Sequence, residues 1–399
     1  MEIKKLRVGS LLLPSNVLMA PLAGYTCLPF RVLVYQLGAG LSFTEMASAN
    51  ALKYKDRATE QLLLSNSRCG DVQAAQLLGG NPSIIEKVAG SKALEKFDII
   101  DLNMGCPVPN VFKSGEGCAL MLDLPRAAAL IRAAKKSGKA VSVKCRTGIQ
   151  ENHMFAAEFA RMCEDAGADI ITIHGRSRSM MYDGIPHYEE IAQAKAAVSI
   201  PVIANGGINS VADADRVMEL TGADGIMLGR YALENPFIIR DLTGKQYEKS
   251  FYITMIEQLE LALKYYDETF ALRYIQRIAS NGMKKRKGTK KYKEQLYRAG
   301  STEEIKELLG LIFLEKEDKQ RSLESAQILN DLKIQNGLEI RDGFFVSYEG
   351  RAETVIVPEG VHTIGEDAFK ACVSIKKIVL PQSLRHILPR AFKGCRNLC

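Results

Sequence analysis

Across residues 1–240 one pattern recurs: a short apolar run, often β-branched, ends in a small or polar group, and an amphipathic stretch follows. Eight such runs occur, at 17–24, 41–48, 72–79, 99–105, 141–148, 170–176, 201–207 and 224–230. Between them apolar residues fall at helical spacing, as Phe155, Phe159 and Met162 do before Ala166-Gly167-Ala168. Strands alternating with helices argue for a parallel sheet with helical crossovers. Eight units in this length fit a closed α/β fold, the (β/α)8 TIM barrel, better than an open doubly wound sheet. The open sheet favours a Gly-x-Gly-x-x-Gly turn after its first strand, and none stands there.

From about residue 241 the pattern changes. Long helix-like stretches at 251–266, 271–283 and 302–313 predict a small helical domain over 241–330. A basic window interrupts them. Between 281 and 300 stand Lys284, Lys285, Arg286, Lys287, Lys290, Lys291, Lys293 and Arg298, opposed only by Glu294. The window nets +7, as much as the whole chain. The segment 336–399 changes again. Glu366-Asp367-Ala368-Phe369-Lys370-Ala371-Cys372 recurs 23 residues later as Pro389-Arg390-Ala391-Phe392-Lys393-Gly394-Cys395. Val355-Ile356-Val357-Pro358 likewise returns within Lys377-Ile378-Val379-Leu380-Pro381. Such a period with leading apolar strands predicts a leucine-rich-repeat-like β solenoid. It supplies no acid, phosphate loop or basic run like 284–298. It is expected to be a catalytically dispensable module with an unknown partner, joined through the polar stretch 315–335.

Composition excludes several classes. A chain that is 47% hydrophobic and 25% charged is neither disordered nor low-complexity. Nine scattered cysteines without a Cys-x-x-Cys pair fit neither a disulfide framework nor a zinc site. Free thiols suit a reducing cytosol, so a cytoplasmic location is expected. No apolar run approaches the ~18 residues of a membrane span. The basic start with Leu11-Leu12-Leu13 faintly resembles a signal peptide, but Pro14 and Asn16 cut it short. Five histidines without metal spacing argue against a metal centre.

A TIM barrel carries its active site at the C-terminal ends of its strands. Those ends form one ring: Pro21-Leu22-Ala23-Gly24, Glu45-Met46, Gln76, Asn103 with Gly105-Cys106-Pro107, Lys144 with Arg146, His174 with Arg176, Asn205-Gly206-Gly207, and Gly229-Arg230. The loops after strands seven and eight are the usual phosphate cradle of barrel enzymes. Glycine there lets the backbone approach an anion, and Arg230 adds charge. Strand alternation sends Lys144 and Arg146 inward, where a bare charge is costly and needs a partner. A thiol at the barrel mouth, Cys106, serves as proton donor or nucleophile, although a buried free cysteine taken alone is mostly structural. A lone histidine is more often a satisfied core group, but Arg176 and Arg178 beside His174 favour a site for a carbonyl-rich or anionic ligand.

These runs resemble the tRNA-dihydrouridine synthase family, flavin-dependent reductases of uridine in RNA, and their wording is nearest the bacterial B-type branch. The matching stretches are Ala20-Pro21-Leu22-Ala23-Gly24 with Pro29-Phe30-Arg31, Thr44-Glu45-Met46, and Asp101-Leu102-Asn103-Met104-Gly105-Cys106-Pro107-Val108 continued by Gly115-Glu116-Gly117-Cys118-Ala119-Leu120-Met121. Val143-Lys144-Cys145-Arg146, His174-Gly175-Arg176-Ser177-Arg178, Tyr182, Asn205-Gly206-Gly207 and Gly229-Arg230 with Asn235-Pro236-Phe237 follow in order. The resemblance implies FMN held by Pro21, Leu22, Ala23, Gln76, Lys144, His174, Asn205, Gly206, Gly207, Gly229 and Arg230. It implies NADPH or NADH as reductant, Cys106 as general acid, and a flipped uracil held by Asn103, Arg146, Arg176 and Arg178 together with Lys144 and His174. It also implies tRNA against the helical domain, where Lys284, Lys285, Arg286 and Lys287 would meet phosphates. The family usually carries Met and Asp where this chain has Leu22 and Cys27. It often has an Arg-Lys-His cluster where this chain reads Arg273-Tyr274-Ile275-Gln276-Arg277. Two other readings stay open: an FMN barrel reductase of a small molecule of the dihydroorotate or enoate kind, and a repeat-based interaction protein with a passive barrel.

Overall fold

The computed structural model describes residues 1–314, 338–341, 344–348, 353–358 and 360–398; of Lys285, Leu338, Glu339 and Arg341 only the backbone is described. The connecting stretch 315–335 lies outside the described residues. The chain forms two units, Met1–Phe313 and Leu314–Cys399.

The first unit is built on the expected barrel. Its strands are β1 (Val17–Met19), β2 in two pieces (Leu41–Ser42 and Ala47–Ser48), β3 (Ala74–Leu78), β4 (Ile99–Asn103), β5 (Ala140–Arg146), β6 (Ile170–His174), β7 (Val202–Asn205) and β8 (Gly225–Leu228). Neighbours pair in parallel from β3 round to β8, and β8 pairs with β1 at Met227 and Leu18. The split strand closes the ring. Its first piece pairs with β1 through Leu41 and Leu18, Phe43 bridges to Ala74, and its second piece pairs with β3 through Ala47 and Leu77.

The barrel interior is graded along the strands. Alternate residues face inward, and near the strand starts these are Leu18, Leu41, Phe43, Ala74, Ile99, Ile170 and Ile203. A short antiparallel hairpin, Leu6–Val8 with Leu11–Leu13, adds Leu6, Val8 and Leu13 to this cluster and seals that end. The same inward register further along carries Gln76, Asp101, Ser142 and Thr172, all buried. The apolar floor thus leaves only the C-terminal mouth for chemistry.

Helices cover the outside, and local sequence sets their starts. Proline stands in the first turn of α1 (Leu28–Gln36), α2 (Pro82–Ala89) and α3 (Leu124–Lys135), where its missing N–H has no cost. Asn81 and Asp123 accept first-turn amides of α2 and α3. Ala156–Asp165 (α4), Tyr188–Ala197 (α5) and Val211–Thr221 (α6) complete the crossovers. Three longer helices follow: α7 (Phe251–Tyr265), α8 (Glu268–Gly282) and α9 (Thr302–Phe313). They share the barrel's outer core. Gln258 on α7 donates to the Pro29 carbonyl at 3.1 Å, and the Leu28 N–H donates to Tyr266 Oη at 3.2 Å.

The second unit stacks short parallel strands. Phe344–Tyr348, Thr363–Ile364 and His386–Ile387 form one row, and Thr354–Ile356 with Lys377–Val379 forms another. The repeated Ala-Phe of the sequence becomes an aromatic ladder: Phe345 stacks on Phe369 at 4.6 Å and Phe369 on Phe392 at 5.3 Å between ring centres. Among the described residues no helix is long and apolar enough to cross a membrane.

Candidate active site

The polar ring gathers at the mouth because strand alternation fixes which side chains face inward. On β4 these are Asp101 and Asn103, on β5 Ser142, Lys144 and Arg146, and on β6 Thr172 and His174. Register sets them side by side: Asn103 and Thr172 flank Lys144, while His174 stands opposite both Arg146 and Asn205. Asn103, Lys144, Arg146, His174 and Asn205 open into one cavity of about 640 Å3. Cofactor and ligand sites commonly measure roughly 300–1,000 Å3.

A polar chain crosses the floor of this cavity. Asn103 Nδ2 donates to Gln76 Oε1 at 2.9 Å, and Gln76 Nε2 donates to Asp101 Oδ2 at 2.6 Å. Burial pushes the Asp101 carboxyl up to about 6, against the pull of its hydrogen bonds and of Lys144. Lys144 Nζ donates to Asn205 Oδ1 at 2.9 Å. Enclosure by the barrel wall, helped by Arg146, brings its ammonium down to about 8, while Asp101 opposes the shift. A lysine enclosed in this way favours a ligand that brings negative charge.

Asn103 also fixes Cys106. Its Oδ1 accepts the N–H groups of Gly105 at 3.2 Å and of Cys106 at 2.9 Å. Cys106 is partly exposed at the mouth, whereas Cys118, whose N–H donates to the Cys106 carbonyl, is fully buried. Burial raises the Cys118 thiol to about 12, so it stays protonated.

His174 is held neutral. Burial, and then the cations Lys144, Arg146, Arg176 and Arg230, push its pKa well below the usual value. Its Nδ1 accepts the Arg176 N–H at 3.2 Å, so the neutral ring carries its proton on Nε2. Gly206 presses against this ring: a Cβ built there would lie 3.1 Å from His174 Cε1, and its φ of +111° already favours glycine. Gly207 is also left-handed, and Gly229 has open space where a side chain would stand.

At the other wall, Glu45 accepts the Gly24 N–H, and the Leu22 N–H donates to Thr26 Oγ1 at 3.0 Å. These bonds hold the backbone of Pro21, Leu22 and Ala23 against the cavity. They are independent of the Leu22 side chain, where this chain departs from the family it resembles. Cys27, the other departure, lies buried away from the cavity, and its thiol is raised by burial.

Of the remaining expected residues, Arg146, Arg176, Arg230 and Lys284 reach the cavity. Arg146 ties down the next loop by donating to the carbonyls of Ser177 at 2.8 Å and Met181 at 2.7 Å. Lys284 pairs with Glu234 at 3.1 Å across the rim. Arg178 does not line the cavity; its guanidinium lies 3.8 Å from the centre of the Phe112 ring. Arg286 lies over Phe251 and Phe313, at 4.8 and 5.3 Å from the ring centres. Lys287 is exposed, and the side chain of Lys285 is outside the described residues.

Two further residues belong to the site without having been expected there. Asp101 was legible, since the alternation that turns Lys144 inward turns it inward too. Tyr182 stands in a loop, where alternation says nothing. Its ring lies 4.3 Å from the Arg230 guanidinium and 5.3 Å from that of Arg146.

Comparison with known proteins agrees with this geometry. Residues 18–324 match the family model of dihydrouridine synthase (Dus), and residues 319–399 match that of the BspA type leucine rich repeat region. A probable tRNA-dihydrouridine synthase of Rickettsia prowazekii (strain Madrid E) is 36% identical over 66% of this chain and 81% of its own length. The tRNA-dihydrouridine synthase B of Pasteurella multocida (strain Pm70) is 37% identical over 59% of this chain and 71% of its own length, and that of Pseudomonas aeruginosa is 35% identical over the same shares. With barrel, mouth and most of the sequence matched, the chain belongs to the dihydrouridine synthase family.

Proposed function

We propose that the chain reduces uridine in tRNA to 5,6-dihydrouridine, with FMN as its bound flavin and NADPH or NADH as the reductant. The observation that carries this reading is the convergence of Cys106, Asn103, Lys144 and His174 on one mouth lined by the Gly206-Gly207 and Gly229 loops. The mouth fits a flavin mononucleotide. Lys144 offers an enclosed cation, the open space at Gly229 leaves room for a phosphate, and the backbone at Pro21, Leu22 and Ala23 offers a wall. Gln76, Lys144, His174, Asn205 and Arg230 would hold it with them.

When bound, the flavin supplies a hydride to C6 of the uracil. This chain's residues do the rest. Cys106 Sγ gives a proton to C5, and Asn103 holds the cysteine backbone in place for that transfer. Neutral His174, with its proton on Nε2, donates to a carbonyl oxygen without adding charge. Arg146 and Arg176 order the loop that closes over the base. A uridine inside folded RNA must be extruded to reach this mouth, at a cost of roughly a few kcal/mol. Lys284, Lys285 and Lys287 offset that cost by meeting phosphates. The reductant uses the same mouth before the RNA arrives.

We assign the flavin site to 1–240, RNA contact to 241–330 and the repeats to 336–399. A tRNA substrate places the protein in the cytoplasm. The test is the visible spectrum of the purified protein: flavin bands are expected, and a colourless protein that FMN cannot reconstitute overturns the cofactor assignment.

A further inference from the structure

The two coils of the repeat unit share core positions and differ in charge. At the offset of 23 residues, Ala368 and Ala391, Phe369 and Phe392, and Cys372 and Cys395 match. The strand registers Thr354 to Lys377 and Thr363 to His386 confirm that these positions stack. At the same offset Glu353 becomes Lys376, Asp367 becomes Arg390, Thr354 becomes Lys377, His362 becomes Arg385 and Val373 becomes Arg396. Residues 368–399 hold seven lysines and arginines and no Asp or Glu.

Only some of these cations are matched within the unit. Lys376 pairs with Glu353 at 2.7 Å, and Arg390 with Glu366 at 2.9 Å and Asp367 at 3.3 Å. Lys370 lies 3.6 Å from Asp367. Lys377, Arg385, Lys393 and Arg396 are exposed and form no ion pair among the described residues. Like charges on one coil repel one another and oppose the compact state. The solenoid core explains none of them.

We propose that the second coil is a polyanion-binding surface, that its partner is RNA, and that Lys377, Arg385, Lys393 and Arg396 meet phosphates. The choice of RNA rests on the proposed function, under which the chain already works on tRNA. A second basic surface on the same chain adds affinity without touching the chemistry, because phosphate contacts are independent of sequence and accumulate with charge.

The experiment uses the full-length flavoprotein and a labelled tRNA transcript, with affinity measured by anisotropy over about 50–300 mM salt. The quadruple variant K377Q/R385Q/K393Q/R396Q is expected to bind about tenfold more weakly near ~0.1 M salt, with the log–log salt slope reduced by about one for each phosphate no longer neutralised. The charge-preserving variant K377R/R385K/K393R/R396K is expected to bind as the parent does. An unchanged slope in the neutral variant overturns the proposal. So does equal weakening in both variants, which points to folding rather than charge. If the neutral variant instead loses binding to phosphatidylglycerol vesicles and keeps its tRNA slope, the surface is a membrane site and the RNA assignment is wrong. A parent that shows the slope change against its neutral variant but forms no dihydrouridine upholds this surface and overturns the proposed function.

Discussion

Lys144 Nζ donates to Asn205 Oδ1 at 2.9 Å, and Asn205 Nδ2 donates onward to the Met227 carbonyl at 2.7 Å. One asparagine thereby links the cation of β5 to the strand that precedes the Gly229 loop. The ends of a flavin, its ring and its phosphate, would be referenced to the same side chain.

The depressed Lys144 pKa has a signature in stability. Its folded value of about 8 lies below its ordinary 10.5, so between these values the unfolded chain binds more protons. Stability of the flavin-free protein contributed by this group therefore rises as pH climbs from about 8 toward 10.5. Urea unfolding across that range is expected to show the rise in the parent and not in Lys144→Met. Identical slopes in both contradict it. Asp101 raises the Lys144 pKa, so Asp101→Asn is expected to move the alkaline limb of flavin reduction to lower pH.

Cys106→Ala is expected to keep flavin and its reduction by NADPH while losing most uridine reduction. A positioned general acid contributes roughly 10²–10⁴-fold. Stopped-flow traces of the two half-reactions separate the effects. Equal activity of variant and parent on tRNA removes Cys106 from the mechanism.

The glycine loops separate strain from ligand contact. Gly206→Ala places a Cβ 3.1 Å from His174 at a φ of +111°, so it is expected to cost roughly 1–3 kcal/mol and to release flavin. Gly229→Ala meets nothing within 4 Å, so stability is expected to hold within about 0.5 kcal/mol while flavin affinity falls. Denaturant melts and flavin retention on gel filtration measure both. Unchanged flavin affinity in Gly229→Ala denies a phosphate at that loop.

The basic window divides into two kinds of residue. Lys284→Gln with Lys287→Gln is expected to weaken tRNA binding and flatten its salt slope by about one per lysine, leaving flavin reduction intact. Arg286→Gln is expected to lower stability instead, since its guanidinium covers Phe251 and Phe313. Such cation–π interactions are worth about 0.5–2 kcal/mol. A salt slope unaltered by the lysine changes means that they are only solvated.

The barrel and most of its mouth were legible because strand alternation is a strict rule. Once Ser142-Val143-Lys144-Cys145-Arg146 is a strand, Lys144 and Arg146 share the inner face. Loop residues obey no such rule, which is why the place of Tyr182 between two arginines and that of Arg178 on Phe112 emerged only from the fold. The N-terminal hairpin was missed for another reason. Strands of three residues, Leu6–Val8 and Leu11–Leu13, are too short for a period to register, and their leucines read as a weak signal-like run. The cations of the second coil are spread along the sequence, and only alignment of the two coils shows that several of them stand where the first coil is acidic or uncharged.

Incubating the FMN-loaded protein with NADPH and an unmodified tRNA transcript tests the central claim most directly, with dihydrouridine counted by nucleoside mass spectrometry. The expected result is one dihydrouridine formed for each NADPH consumed in the absence of oxygen. NADPH consumption with dihydroorotate or a small enone, and none with tRNA, would contradict the account.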